Sequence, residues 1–238
     1  MPFTHAGSYL RVGDQWSSNG SAVLPGVATS PIYVYRIVPP TKDAAAIGAA
    51  AAVSGGNWTL AASTGTTTVT INGTSYIDLG VARTVTLSGA QTSAVAVDTT
   101  ITGLDDYKVP LTSTISSPVS TALVSTTKTY RYIPVMGGVT TAGNTVGTVS
   151  VGTGDTFGIP YVVGNWGDVD VTWNSVKATA STGFTAAVTT SPATAYTGDV
   201  RGTYAVQTTA SDSSRVLCVW VYVDNPNTRA GAYGVVQA

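Results

Sequence analysis

The chain contains 40 threonines and 33 valines among its 238 residues, and it has no glutamate. Threonine and valine are β-branched, so they pack well on a pleated sheet and lose side-chain freedom in a helix. Glutamate is one of the good helix formers, and its absence removes a common helix signal. This composition predicts an all-β protein with an antiparallel β-sandwich or jelly-roll-like body.

Charge is scarce along the whole chain. Charged residues make up 10% of the sequence and the net charge is −1, whereas about 25% of the residues in an average soluble domain are charged. A surface with so little charge has weak electrostatic protection against association. We therefore expect an obligate component of an assembly rather than a solitary soluble domain.

Proline and hairpin signals divide the chain into three parts. Residues 1–43 carry five prolines and one strand-like run, 31–38, which predicts an extended N-terminal arm because proline removes donors from a sheet ladder. Asn72-Gly73 joins two β-rich runs and is a strong hairpin signal. We expect a β-sandwich domain over 44–153 and a C-terminal β domain over 154–238, unless one continuous sandwich uses all the strands.

Two apolar runs lead to different expectations. Residues 44–53 are mostly alanine after Asp43, and a short helix capped by that aspartate is favoured over an extended linker. With about ten residues, the run is too short to span a membrane, because a spanning helix needs about twenty.

Residues 216–223 form a second apolar run, between Arg215 and Asp224. This run predicts a strand buried on both faces, at the centre of the C-terminal core.

Catalytic and metal-binding residues are nearly absent. His5 is the single imidazole and Cys218 the single thiol, so a fixed triad, a zinc site and an internal disulfide framework are not expected. The sequence predicts no enzyme activity and no cofactor. Asp168 and Asp170 are two residues apart, so on a strand both would face one side. A calcium site or a glycosidase pair is the alternative use of these two carboxylates, but a pair that faces solvent is favoured. A second aspartate pair, Asp105 and Asp106, is expected in a turn, where aspartate hydrogen-bonds nearby backbone amides.

Binding to nucleic acid or membrane is not expected either. The eleven Lys and Arg residues are spread thinly, without the basic stripe that nucleic acid requires. The N-terminal residues have neither the basic nor the apolar region of a signal peptide, which indicates use in a cytoplasm. Aromatic side chains could form a sugar-binding platform, although core or interface packing is the commoner use; the candidates are Trp58, Trp166, Trp173, Trp220, Tyr161 and Tyr196.

Four stretches resemble structural proteins of tailed bacteriophages: 74–86, 100–107, 151–161 (VGTGDTFGIPY) and 197–204 (TGDVRGTY). The resemblance covers about residues 56–238. It departs after Tyr107, where Lys108-Val109-Pro110 stands in place of a Gly-Gln-Pro type of sequence.

The resemblance implies a virion component of the head, assembled in a bacterial cytoplasm, that decorates or cements the capsid. Its partners would be the major capsid protein and further copies of itself, with a trimer as the state suited to local three-fold positions. The arm would then contact a neighbouring subunit, and its interface residues are predicted to be Trp16, Tyr33 and Tyr35. A tail or fibre component that binds host glycans is the alternative, and an Asp-dependent glycan hydrolase is the least favoured hypothesis.

Overall fold

The computed structural model describes residues 32–52, 54–91, 97–116, 123–144, 147–188 and 198–222. Within these ranges the protein is all-β, as the composition predicts, and a short 3-10 helix, η1 (Trp166–Asp168), is the one helical element. The strands, numbered in chain order, are β1 (Ile32–Ile37), β2 (Gly48–Ala51), β3 (Ser54–Thr59), β4 (Thr67–Ile71), β5 (Thr74–Gln91), β6 (Asp98–Leu104), β7 (Pro110–Ser116), β8 (Leu123–Ser125), β9 (Tyr130–Pro134), β10 (Met136–Asn144), β11 (Gly147–Gly158), β12 (Val169–Trp173), β13 (Val176–Lys177), β14 (Phe184–Thr185), β15 (Thr203–Ala205) and β16 (Leu217–Tyr222).

The strands form two antiparallel sheets. The smaller has four strands in the order β1-β16-β12-β13. The larger has twelve, with a main path β14-β15-β11-β5-β9-β6-β10-β3, and β2, β4, β7 and β8 pair beside that path. The predicted fold class, an antiparallel β-sandwich, is confirmed.

The β4–β5 hairpin follows the local sequence. Thr67 to Ile71 pair with Asp78 to Thr74, and the two turn residues, Asn72 and Gly73, have φ values of 48° and 81°. Positive φ at both central positions is what a two-residue type I′ turn requires, and it matches the twist of the flanking strands. The predicted hairpin is confirmed.

Buried apolar side chains form two clusters. The first core cluster lies within the large sheet and the segments beside it: Ala46, Ile47, Trp58, Leu60, Ile77, Leu79, Val85, Leu87, Ile101, Leu111, Ile115, Tyr130, Ile133, Val139, Val149 and Val151. The second core cluster joins one end of that sheet to the small sheet: Val81, Phe157, Ile159, Val163, Val169, Val171, Trp173, Tyr204, Leu217, Val219 and Val221.

Strands β5 and β11 pass from one cluster to the other. On β11, Val151 belongs to the first and Phe157 to the second, so the domain boundary predicted at residue 153 falls between them. The two strands pair along most of their length across this point, and hence a single sheet continues through it. The division into two domains stays a prediction.

The helix predicted over residues 44–53 is wrong. Asp43 Oδ1 accepts a hydrogen bond from Ala45 N at 2.7 Å, which closes a turn, and the chain then forms β2 against β11. Ile47 is fully buried and its amide donates to Val151 O at 3.0 Å. Alanine's helix propensity is small compared with this burial and pairing, so tertiary contacts override it.

The small sheet is built around β16. It lies between β1 and β12, and Leu217, Val219 and Val221 are each at most 1% exposed, so the predicted central strand is confirmed. Burial on both faces is not, because Trp220 and Tyr222 on the opposite face are only partly buried. The strand expected near 31–38 is also confirmed as β1, which pairs with β16 over its full length. Residues 1–31 of the predicted arm lie outside the described residues.

Candidate functional site

Two of the three predicted interface residues of the arm pack within the chain's own fold. Tyr33 and Tyr35 lie on β1 and pack against the second core cluster. The Tyr33 ring stacks on Tyr161 with 4.8 Å between ring centroids, and burial raises the pKa of Tyr35 well above its usual value. Trp16 lies outside the described residues. Contact of these three residues with a neighbouring subunit stays a prediction.

The candidate carboxylate pair is separated by a change of backbone. Asp168 ends η1, so the alternation of a strand does not apply to it, whereas Asp170 lies on β12. Asp170 accepts hydrogen bonds from Lys177 Nζ and Tyr222 Oη, both at 2.8 Å. The bond from Lys177 lowers the pKa of Asp170. Within the described ranges no three His, Cys, Asp or Glu side chains come together as a metal site.

The Asp105-Asp106 turn holds an ion pair that the sequence does not reveal. Asp105 Oδ1 accepts hydrogen bonds from the amides of Tyr107 and Val109, both at 2.8 Å, as expected for a turn aspartate. Its Oδ2 lies 2.6 Å from Arg201 Nη1, and both side chains are 4% exposed. The Arg201 guanidinium also stacks over the Tyr107 ring at 4.7 Å. The turn is predictable, but its partner is distant in sequence.

Asp199 joins the same region. Its Oδ2 accepts hydrogen bonds from the amide and the hydroxyl of Thr129, and its Oδ1 accepts one from the amide of Arg201. Burial raises the pKa of Asp199 despite these bonds. The space left among Asp105, Asp199 and Arg201 is about 10 Å³, which holds no more than one water. This cluster therefore holds the Asp105-Asp106 turn against the loop that contains Asp199 and Arg201, and it has no room for a substrate.

A second buried ion pair, Arg83–Asp155, fixes the segment after β1. Arg83 donates to Gly154 O at 2.7 Å, Pro40 O at 2.9 Å, Asp155 Oδ1 at 2.8 Å and Ser211 Oγ at 3.0 Å. Burial lowers its pKa to about 10. Because Arg83 lies between the two core clusters on β5, we group it with the preceding cluster as the buried charge layer, defined by Arg83, Asp105, Asp155, Asp199 and Arg201.

The aromatic candidates divide between core and surface. Trp58 is 5% exposed within the first core cluster, whereas Tyr161 and Trp166 pack against the second. Tyr196 lies outside the described residues. Trp173 is different, because it is buried and also lines an open cleft of about 300 Å³.

The cleft lies between the segment around β13 and the segment that follows β15. Its lining residues are Trp173, Val176, Lys177, Ala178, Thr179, Ala180, Thr182, Tyr204, Gln207 and Thr208. Trp173 is held in one orientation, because its Nε1 donates to Thr209 O at 3.0 Å and its ring stacks on Phe157 at 6.1 Å. Among the sugar-platform candidates in the described part of the chain, Trp173 borders this cleft.

Comparison with known proteins gives no match: no protein-family model, no curated protein and no solved structure resembles the chain closely enough to report. Among the described residues, no helix has the length and apolar character to cross a membrane.

Proposed function

We propose that this chain is a non-enzymatic structural protein of a tailed-bacteriophage virion, which decorates or cements the capsid by bridging neighbouring subunits. The observation that carries the proposal is the distribution of charge. Arg83, Arg131, Lys177, Arg201 and Arg215 each form an ion pair within the chain. Five of the eleven Lys and Arg side chains are therefore paired with aspartates of the same chain.

Exposed strands present hydroxyls in place of charges. On β4, Thr67, Thr68 and Thr70 are exposed, and the strand contains no lysine, arginine or aspartate. Contacts through neutral hydroxyls depend little on salt, unlike ion pairs between exposed residues. Such a surface suits a particle that must stay intact as ionic strength changes.

The edge of β4 also supports assembly. In the described part of the chain β4 pairs with β5 alone, so its other edge is open. Soluble proteins commonly protect such edges with lysine, proline or a bulge, and β4 has neither lysine nor proline. An unprotected edge is tolerable when another subunit covers it, which fits a homo-oligomer or a capsid contact.

The direct test is co-sedimentation of the purified protein with particles that lack it, followed by heating of the loaded particles. We expect saturable binding to heads and a higher temperature of genome release. Binding to tails or to host envelope, without binding to heads, would instead favour the tail or fibre alternative.

Two variants locate the contact. Deletion of residues 2–30 leaves β1 in place and is expected to abolish head binding if the arm bridges subunits. Full binding by the folded truncated protein would contradict the arm's role.

A double substitution on β4, Thr68→Lys with Thr70→Lys, places two charges on this strand and is expected to weaken assembly. The matched variant, Thr68→Ser with Thr70→Ser, keeps the hydroxyls and should assemble normally.

A further inference from the structure

We propose that the cleft beside Trp173 binds one neutral, hydroxyl-rich ring, the terminal pyranose of a glycan. Its volume of about 300 Å³ is at the small end of the range for ligand pockets, about 300–1,000 Å³. A site of this size accepts a single ring rather than an extended chain. The inference concerns ligand binding alone and does not depend on whether the protein lies on a head or a tail.

A fixed aromatic ring is one half of the argument. The hydrogen bond from Trp173 Nε1 to Thr209 O and the stacking on Phe157 prevent the indole from reorienting. A ring that is already ordered loses little entropy when a ligand packs on it. Trp173 is 6% exposed, so a small part of the indole borders the cleft, beside the side chain of Val176, which is 70% exposed. The C–H groups of a pyranose would pack against these two apolar surfaces.

The other half is a set of polar groups that the protein leaves available. Among the described residues, the hydroxyls of Thr179, Thr182, Thr208 and Tyr204 have no hydrogen-bond partner, although Tyr204 is only 3% exposed. Burial raises the pKa of Tyr204, so its phenol stays protonated and can donate. Gln207 uses its amide nitrogen on Ala205 O at 2.7 Å, which leaves its carbonyl oxygen as an acceptor.

Charge favours a neutral ligand. Lys177 is the one charged residue among those that line the cleft, and its Nζ lies 2.8 Å from Asp170 Oδ1. With that charge already paired, an anionic sugar gains little. An apolar side chain of a protein partner fits less well than a sugar, because it would leave the threonine and tyrosine hydroxyls buried without partners.

The test uses the full chain and saturation-transfer NMR with the methyl pyranosides of glucose, galactose, mannose and N-acetylglucosamine at millimolar concentration. We expect at least one of them to receive saturation, and to change the tryptophan fluorescence, while methyl glucuronide binds more weakly than methyl glucoside. Absence of transfer to all four sugars would overturn the proposal, and so would tighter binding of the glucuronide.

Variants place the signal in the cleft. Ala180→Trp is expected to fill the cleft and remove binding, and Thr179→Val with Thr182→Val is expected to weaken binding about tenfold, the loss of two modest hydrogen bonds. The matched control, Thr67→Val with Thr68→Val, changes two exposed threonines on β4 and should bind as the parent does. If Ala180→Trp fails to fold by circular dichroism, the threonine pair decides the question; sugar binding that is unchanged in that pair would contradict the assignment. Failure here leaves the capsid proposal standing, because head binding is measured separately.

Discussion

The first core cluster consists of hydrophobic side chains, whereas the buried charge layer is held by hydrogen bonds and ion pairs, although all of its members except Asp155 are as buried. Leu79 and Ile133 are 0% exposed in the former, and Arg83 is 0% exposed in the latter. Apolar contacts are not directional, so they stabilise a sheet without determining which loops lie beside it. The bonds of the charge layer join Pro40 and Ser211 to β5 and the Asp105 turn to the loop that contains Arg201, so they set the positions of these segments.

The largest effect is expected from breaking one ion pair of the charge layer. Asp155→Ala leaves Arg83 buried without its carboxylate and should lower the free energy of unfolding by about 3–5 kcal/mol. Urea unfolding measures this loss. Replacing both partners, Arg83→Met with Asp155→Leu, should cost less than Asp155→Ala alone, because no uncompensated charge remains. A loss below that of an exposed substitution would show that the pair is unimportant.

Truncation in the first core cluster sharpens the comparison. Leu79→Ala creates a cavity in a closely packed sheet and should lower the free energy of unfolding by about 3 kcal/mol. The matched variant Leu123→Ala removes the same atoms from a side chain that is 50% exposed, and we expect a change of less than about 0.5 kcal/mol. Equal effects in the two variants would contradict the assignment of this core.

Gly80 tests how closely the segment after β1 lies on β5. It has a φ of 79°, and a Cβ added there would lie 2.4 Å from Pro40 Cγ. Gly80→Ala should therefore cost about 1–3 kcal/mol from backbone strain plus displacement of Pro40. Gly73 has a φ of 81° and open space around it, so Gly73→Ala isolates the backbone cost. If both variants lose the same stability, Pro40 does not press on β5.

The pH dependence of stability reports on Asp199. Burial raises the pKa of Asp199 in the folded protein. The folded state therefore keeps the carboxyl proton of Asp199 at pH values where the unfolded state has released it. Stability from this group is therefore greatest at low pH and falls as pH rises from the unfolded pKa through the folded pKa, by at most about 1.4 kcal/mol per pH unit. The difference in unfolding free energy between the parent and Asp199→Asn should shrink as pH rises from 4 to 7. A constant difference would rule this out.

The smallest effect is expected at the exposed ion pair. The side chains of Lys177 and Asp170 are 62% and 37% exposed, so solvent screens their attraction. Lys177→Met should change the free energy of unfolding by less than about 0.5 kcal/mol, and the change should decrease further in high salt. A loss comparable to that of Asp155→Ala would remove the distinction between buried and exposed charge.

Local patterns predicted those elements whose partners are near in sequence. The β4–β5 hairpin followed from Asn72-Gly73. The Asp105 turn followed from the tendency of an aspartate carboxylate to accept hydrogen bonds from nearby backbone amides. The central strand β16 followed from its apolar run. Each of these needs few contacts beyond its own segment to be recognised.

Contacts between distant segments explain what the sequence did not reveal. Residues 44–53 have helix-forming composition, but Gly48–Ala51 pair with β11 as a strand. Residues 159–163 form no strand. In that segment the amides of Ile159 and Val163 instead donate to Gly202 O and Arg201 O, in a loop about 40 residues away. No local signal indicates such a partner.

The amino-acid sequence by itself determined the fold class, because β-branched residues without glutamate favour sheets over helices. It also determined the shortage of charge on which the proposed assembly role depends. Only the tertiary structure decided which charges are buried together and that Trp173 borders a cleft. The reason is physical: a strand pattern depends on neighbours one or two residues away, whereas Arg201 reaches Asp105 and Tyr204 approaches Trp173 only after the chain has folded.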